Sequence, residues 1–446
     1  MTTNRSRRVA VMAVPVLALL ALAPSVSAMV PETPGPPFNF TARAGHISTA
    51  DGGSLLMWGY ANGDGIMQYP GPNIVVTQGD LVTVVLTNQL PVPTSIVFPG
   101  QVEVAASGGT AGLLTQEAAP GETVTYTFTA AEAGTYHYHS GTRPDLQIEM
   151  GLVGAIVVRP QGAMGMHMAY PHMGAAFDRE YLFLFTEIDP RIHDLVECGQ
   201  MDEVDNADYF PVYWFINGRN APDTMADNFA PWLPSQPYAC MPMMHPGDRM
   251  LMRIISAGRD LHSFHTHGNN FTIIARDGRL LESAPGLGPD LAESNFTISV
   301  TPGGTADAIF TWTGEKLGWD IYGHQQDIDN EPLGDFPGPG DIDHNNDGIF
   351  DNVPMEDHEY APDHGKPFPV VLPDVKDLTF GGMYSGSPFL GAMGFLPPGE
   401  GGMNPHAGFM YMWHSHLEKE MTNNDIFPGG LMTMPLVVPH HVEIMH

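Results

Sequence analysis

The order of short sequence signals between residues 79 and 158 recurs between residues 247 and 438, and this duplication constrains the fold more than any other feature of the chain. Gly79-Asp80-Leu81-Val82-Thr83-Val84 corresponds to Gly247-Asp248-Arg249-Met250-Leu251-Met252. Pro120-Gly121-Glu122-Thr123 corresponds to Pro302-Gly303-Gly304-Thr305. Gly134-Thr135-Tyr136-His137-Tyr138-His139-Ser140 corresponds to the segment Gly408–Ser415, and Gly151-Leu152-Val153 to Gly430-Leu431-Met432. One order of signals met twice reads as two related units built on one plan.

Each unit is β-rich. The chain holds 50 Gly and 41 Pro, so turns punctuate it throughout. Short β-prone runs lie between them, at Asn73–Thr77, Leu81–Thr87, Thr123–Thr129 and Gly154–Val158. Apolar and polar residues alternate in Thr123-Val124-Thr125-Tyr126-Thr127-Phe128, the period of a half-buried strand, and no long stretch keeps a helical period. The expected fold is all-β, two Greek-key sandwich or barrel domains. The first spans 29–163, a Met-rich linker follows at 164–178, and the second spans 179–446. The second is longer by an insertion at about 316–405, rich in Gly, Pro and Asp and too long for a structureless loop.

Residues 1–28 read as an export signal, with Arg5, Arg7 and Arg8, an apolar run from Val9 to Ala23 and the small-residue site Val26-Ser27-Ala28. Ser6-Arg7-Arg8 is similar to a twin-arginine signal and equally compatible with an ordinary one. The run is too short for a membrane span and no second span follows, so an exported, periplasmic or extracellular protein is expected. With 18 basic and 50 acidic residues the formal charge is −32, a surface that repels nucleic acid and anionic lipid and attracts cations.

Three histidine-bearing segments carry the chemistry. In His262-Ser263-Phe264-His265-Thr266-His267-Gly268 the period of two turns His265 and His267 to one side of a strand, with His262 on the approach. His414-Ser415-His416 has the same period, and so does His137-Tyr138-His139 in the first unit. Imidazole suits copper, zinc, iron and nickel, and pairs from two strands can clamp one ion or bridge two. A lone pair of this kind on a strand usually just faces solvent. Two pairs at corresponding ends of a duplicated domain point to a metal site.

The segment His262-x-x-His265-x-His267-Gly268 resembles the multicopper oxidase motif, and Trp413-His414-Ser415-His416 resembles that family's His-Cys-His segment. Phe215-Ile216-Asn217-Gly218 and Ala275-Arg276-Asp277-Gly278 extend the resemblance over most of both domains. It implies cupredoxin-like domains and copper. In the family the first histidine of the motif binds the blue type 1 copper and the other two bind the oxygen-reducing cluster. Family members with two domains often build that cluster between subunits, which implies a trimer.

The departures from the pattern matter as much. Ser415 stands where the family has the copper-binding Cys, and Glu420 where it has another type 1 His. A blue site needs a thiolate in a trigonal His/His/Cys set, and a serine hydroxyl cannot replace it. In the first domain Val97-Phe98-Pro99-Gly100 replaces a His-x-His-Gly, and His139-Ser140-Gly141 keeps one histidine of a pair. The surviving cluster positions are His139, His265, His267, His414 and His416. His262 keeps its place without a thiolate partner, and His137 stands either as a supplementary ligand or as an exposed ring with no role.

Three further signals are weaker. Asp343, Asn345, Asp347, Ile349 (by its carbonyl) and Asp351 have the spacing of a calcium loop, equally the composition of a plain turn. Cys198 and Cys240 are expected to pair as a disulfide in an oxidising compartment, since neither has metal-ligand spacing. Met243-Met244-His245 places soft thioether donors beside imidazole, although methionine more often fills a core. The function expected is an oxidoreductase with a remnant histidine copper site, no blue copper, oxygen as a candidate acceptor and a small-molecule reductant. A copper storage or delivery protein, and a structural protein with relic histidines, are the competing readings.

Overall fold

The structure is a computed structural model that describes residues 30–162, 167–312, 325–326, 332–334, 386–389, 408–438 and 444. The leader, most of the insertion and the calcium-loop residues Asp343, Asn345, Asp347, Ile349 and Asp351 lie outside the described residues.

The duplication in sequence is a duplication in sheet order. In the first unit Phe38–Ser48 runs parallel to Leu81–Asn88, which pairs antiparallel with Thr123–Thr129. In the second, Arg179–Ile188 runs parallel to Arg249–Ser256, which pairs antiparallel with Thr305–Thr311. The facing sheets repeat as well. Gly71–Thr77 lies parallel to Val153–Arg159, itself antiparallel to Gly134–His139. Met243–Met244 lies parallel to Leu436–Val437, itself antiparallel to Gly408–Tyr411. The fold is thus all-β in two layered units, as the strand runs and their spacing predict.

Turn chemistry follows the same repeat. Gly79 and Gly247 take φ of 93° and 84°, and Gly121 and Gly303 take 82° and 80°. Each is the third residue of a tight turn that requires positive φ there, which glycine adopts without a Cβ clash.

Alternation in Leu81–Asn88 and Thr123–Thr129 buries every second residue. Val82, Val84, Leu86, Val124, Tyr126 and Phe128 enter the first core with Phe40, Tyr138 and Ile156. Phe183, Met252, Phe264, Phe310 and Trp413 fill the second. A third cluster, with Val153 and Ala155 against Leu184 and Ile255, joins the two units. The units also exchange material: Ile192 and Val196 of the helix Pro190–Glu197 pack into the first core although they follow the linker. Beyond the linker's start, Ala169, Tyr170 and Phe177 pack on Leu251, Ile274 and Ile309 of the second unit.

The expected Cys198–Cys240 disulfide is not formed, and both thiols are free. Cys240 is buried in the second core, its thiol directed at the Leu182 carbonyl 3.7 Å away. Cys198 ends the helix Pro190–Glu197 and is exposed beside the first core. The exchange of that helix between units is what separates the two cysteines.

Candidate metal centre

Pairing fixes which way each histidine faces. The strand His262–Thr266 lies antiparallel to Trp413–Ser415, with Phe264 opposite Ser415 and His265 opposite His414. Directly opposed residues share a face, and successive residues alternate. Phe264 and Trp413 are core residues, so His262 and Ser415 turn inward with them. His265, His267, His414 and His416 turn to the other face. One pair of strands therefore sorts the motif into an inner and an outer set.

On the outer face the rings converge. Ring centroids of His265 lie 4.9 Å from His267, 5.4 Å from His414 and 4.7 Å from His416. His267 and His414 are 5.2 Å apart, and His414 and His416 are 5.5 Å apart. One nitrogen from each of His265, His267 and His414 lies within 4.8 Å of the others. An ion about 2.0–2.1 Å from each nitrogen needs donors no more than roughly 4.2 Å apart, a small ring rotation away. His416 is the most open of the four, its side chain 53% exposed and 3.9 Å from Glu418.

Hydrogen bonds orient these rings. His265 Nδ1 lies 2.7 Å from Thr297 Oγ1, and His414 Nδ1 donates to the Ser415 carbonyl at 2.6 Å. With Nδ1 engaged, Nε2 of His414 carries the free lone pair, the arrangement that outer partners give metal-binding histidines. That Nε2 is 3.3 Å from His267 Nε2. A proton between the two makes a hydrogen bond, and a cation can take its place. Burial, then the neighbouring His267, His414 and His416, pushes His265 down to about 4. Burial lowers His414 as well. Near neutral pH His265 thus presents an uncharged imidazole, the form that binds metal.

The other predicted residues lie elsewhere. His262 is buried on the inner face with both nitrogens occupied, Nδ1 3.1 Å from Glu420 Oε2 and Nε2 2.9 Å from Glu187 Oε2. Burial alone would depress it, but the two carboxylates hold it up at about 9. Both ring nitrogens of His262 therefore face carboxylates rather than the outer histidines. Glu187 went unnoticed in the sequence. It lies 75 residues before His262 and in no motif, so no local signal marks it.

His137 and His139 stack with ring centroids 5.3 Å apart on the Gly134–His139 strand. They do not join the four-histidine cluster within one chain. His139 Nδ1 meets the Ser140 carbonyl at 2.9 Å. His137 is buried, and burial, then His139, lowers it to about 3.

Residues 46–163 match the family described as multicopper oxidase. The copper resistance protein A of Escherichia coli is 25% identical over 280 residues, 56% of this chain and 44% of that protein. The multicopper oxidase MCE of Talaromyces pinophilus is 38% identical over 96 residues, 21% of this chain and 16% of that one. The chain thus aligns with less than half of either relative's length. Among solved structures, the blue copper oxidase from Nitrosomonas europaea superposes with a TM-score of 0.53 at 18% identity, covering 89% of this chain and 84% of that one. The multicopper oxidase mgLAC gives 0.53, likewise at 18% identity, over 92% and 87%. The shared fold is cupredoxin-like.

Proposed function

We propose that this chain, which resembles the multicopper oxidase family over residues 46–163, is an exported copper-binding oxidoreductase of that kind that holds copper at His265, His267, His414 and His416 and has no blue centre. The observation that carries the reading is the convergence of nitrogen donors from two paired strands within 4.8 Å, on rings oriented by Thr297 and the Ser415 carbonyl. An all-imidazole donor set fits copper. Bound there, copper supplies one-electron redox chemistry. The protein's own groups aim the rings of His265 and His414 and leave His416 toward solvent, where a small-molecule reductant or oxygen can approach.

His139 is the surviving first-domain ligand position, and it does not reach the cluster within its own chain. A second copy presenting His139 to the open side would complete the site, which supports a closed ring of subunits such as a trimer.

Copper titration followed by paramagnetic resonance tests the proposal. Wild type should load copper, stay pale and give an ordinary tetragonal signal. The double variant His265→Ala/His414→Ala loses an arm from each strand and should lose at least a hundredfold in affinity. An intensely blue wild type, or unchanged loading in the double variant, would overturn the assignment. Oxidation of a reductant that scales with copper occupancy would distinguish turnover from storage.

A further inference from the structure

The inner face of the same two strands holds a second, different centre. His262, Glu187 and Glu420 are all buried, and His262 and Ser415 share that face. Glu187 is fixed from several sides. Its Oε1 accepts the backbone N–H groups of Arg259 and Asp260, the latter at 2.8 Å, and the Tyr209 hydroxyl at 3.2 Å, while Oε2 faces His262 Nε2. Glu420 follows the His414–His416 arm in the 3-10 turn Glu418–Met421. Its Oε2 faces His262 Nδ1, and its buried Oε1 makes no hydrogen bond among the described residues.

We propose that Glu187 and Glu420 together close this inner site to metal by clamping both ring nitrogens of His262, so that the missing thiolate at Ser415 is not by itself what keeps copper out. A carboxylate accepts and does not donate, so facing one on each side requires both ring nitrogens to carry protons. The doubly protonated ring is the cation of the site, and it offers no lone pair. Two buried carboxylates around one imidazolium also leave a net negative charge that holds the proton in place. Restoring a thiolate therefore leaves His262 unable to coordinate until Glu420 is also replaced. The inference rests on the copper reading of the outer face, which it completes by naming what selects one metal centre over two.

The test compares Ser415→Cys, Glu420→His and the double variant Ser415→Cys/Glu420→His, each loaded with Cu(II). Copper per chain and the copper–thiolate absorption are measured. The single variants should match wild type in copper content and remain pale. The double variant should take up one further copper per chain and turn blue. A blue Ser415→Cys variant overturns the proposal, and so does a folded double variant that gains neither copper nor colour. Nitrogen NMR of His262 in the wild-type protein at pH 7 gives an independent arm. Both ring nitrogens should be protonated, and a neutral ring overturns the proposal whatever the variants do. If wild type fails to load copper at the outer face, the functional reading fails alone, because the blue band and the His262 spectrum report only the inner site.

Discussion

At the scale of single residues, chemistry here is decided by which side of a strand a side chain faces. His262 and His265 are three positions apart, yet one is an imidazolium between carboxylates and the other a neutral ring among histidines. Cys198 and Cys240 differ in the same way. The Cys240 thiol is raised well above its usual value by burial and has no path to solvent, whereas Cys198 is exposed. Thiolate is the reactive form, so access and ionisation act together. A thiol reagent should therefore modify one cysteine in the native protein and the second only after unfolding. Two fast-reacting thiols, or none, would contradict this placement.

At the scale of elements, the clamp around His262 ties three of them together: the end of Arg179–Ile188 through Glu187, the start of His262–Thr266, and the turn Glu418–Met421. Its pH dependence follows from the sign of the shift. His262 titrates near 6.5 when unfolded and about 9 when folded, so its contribution is complete below pH 6.5 and disappears as pH rises to 9. The upper bound is about 3 kcal/mol. Glu187 behaves oppositely: its carboxyl is lowered by His262 against the raising effect of burial, so its contribution is lost as pH falls through the acid range. Thermal melting should fall between pH 6.5 and 9, and His262→Gln should flatten that slope. An unchanged slope in the variant would place the titrating group elsewhere.

Much of this level was legible in the sequence. The two His-x-His pairs revealed the outer face because strand period is local, and the turns at Gly79, Gly121, Gly247 and Gly303 revealed the repeat because positive φ is local too. Glu187 and the helix Pro190–Glu197 were not legible, since partners far apart in sequence leave no periodic trace. The disulfide expectation failed for the same reason. It rested on compartment and count, and the position of Cys198 depends on a helix that crosses to the other unit.

At the scale of the whole molecule, the two units are joined by buried charge as well as by apolar contact. Glu180 of the second unit lies between Arg159 of the first, with Nη2 at 2.9 Å, and Arg253 of its own unit, with Nε at 2.5 Å. Asp307 receives Thr135 Oγ1 from the first unit at 2.5 Å and the Tyr170 hydroxyl at 2.6 Å. Burial opposes ionisation of Glu180, but Arg253 and Arg159 prevail and hold its carboxyl at about 2. The folded value is depressed, so its contribution is present above the ordinary range near pH 4.5 and is lost as pH falls toward 2. Glu180→Gln removes the charge and leaves Arg253 buried without its closest anion. Breaking such a pair by losing one member typically costs about 3–5 kcal/mol, because the remaining charge stays desolvated. Arg253 also reaches Thr135 Oγ1 at 2.8 Å, so its displacement weakens the contact between units as well as the strand Arg249–Ser256. Calorimetry of the wild type should show one cooperative transition. Glu180→Gln should lower it by that amount and separate the unfolding of the two units, while Glu180→Asp, which keeps the charge, should restore the single transition in part. A variant that melts like wild type in one transition would show that apolar contact between Val153, Ala155, Leu184 and Ile255 is enough to couple the units.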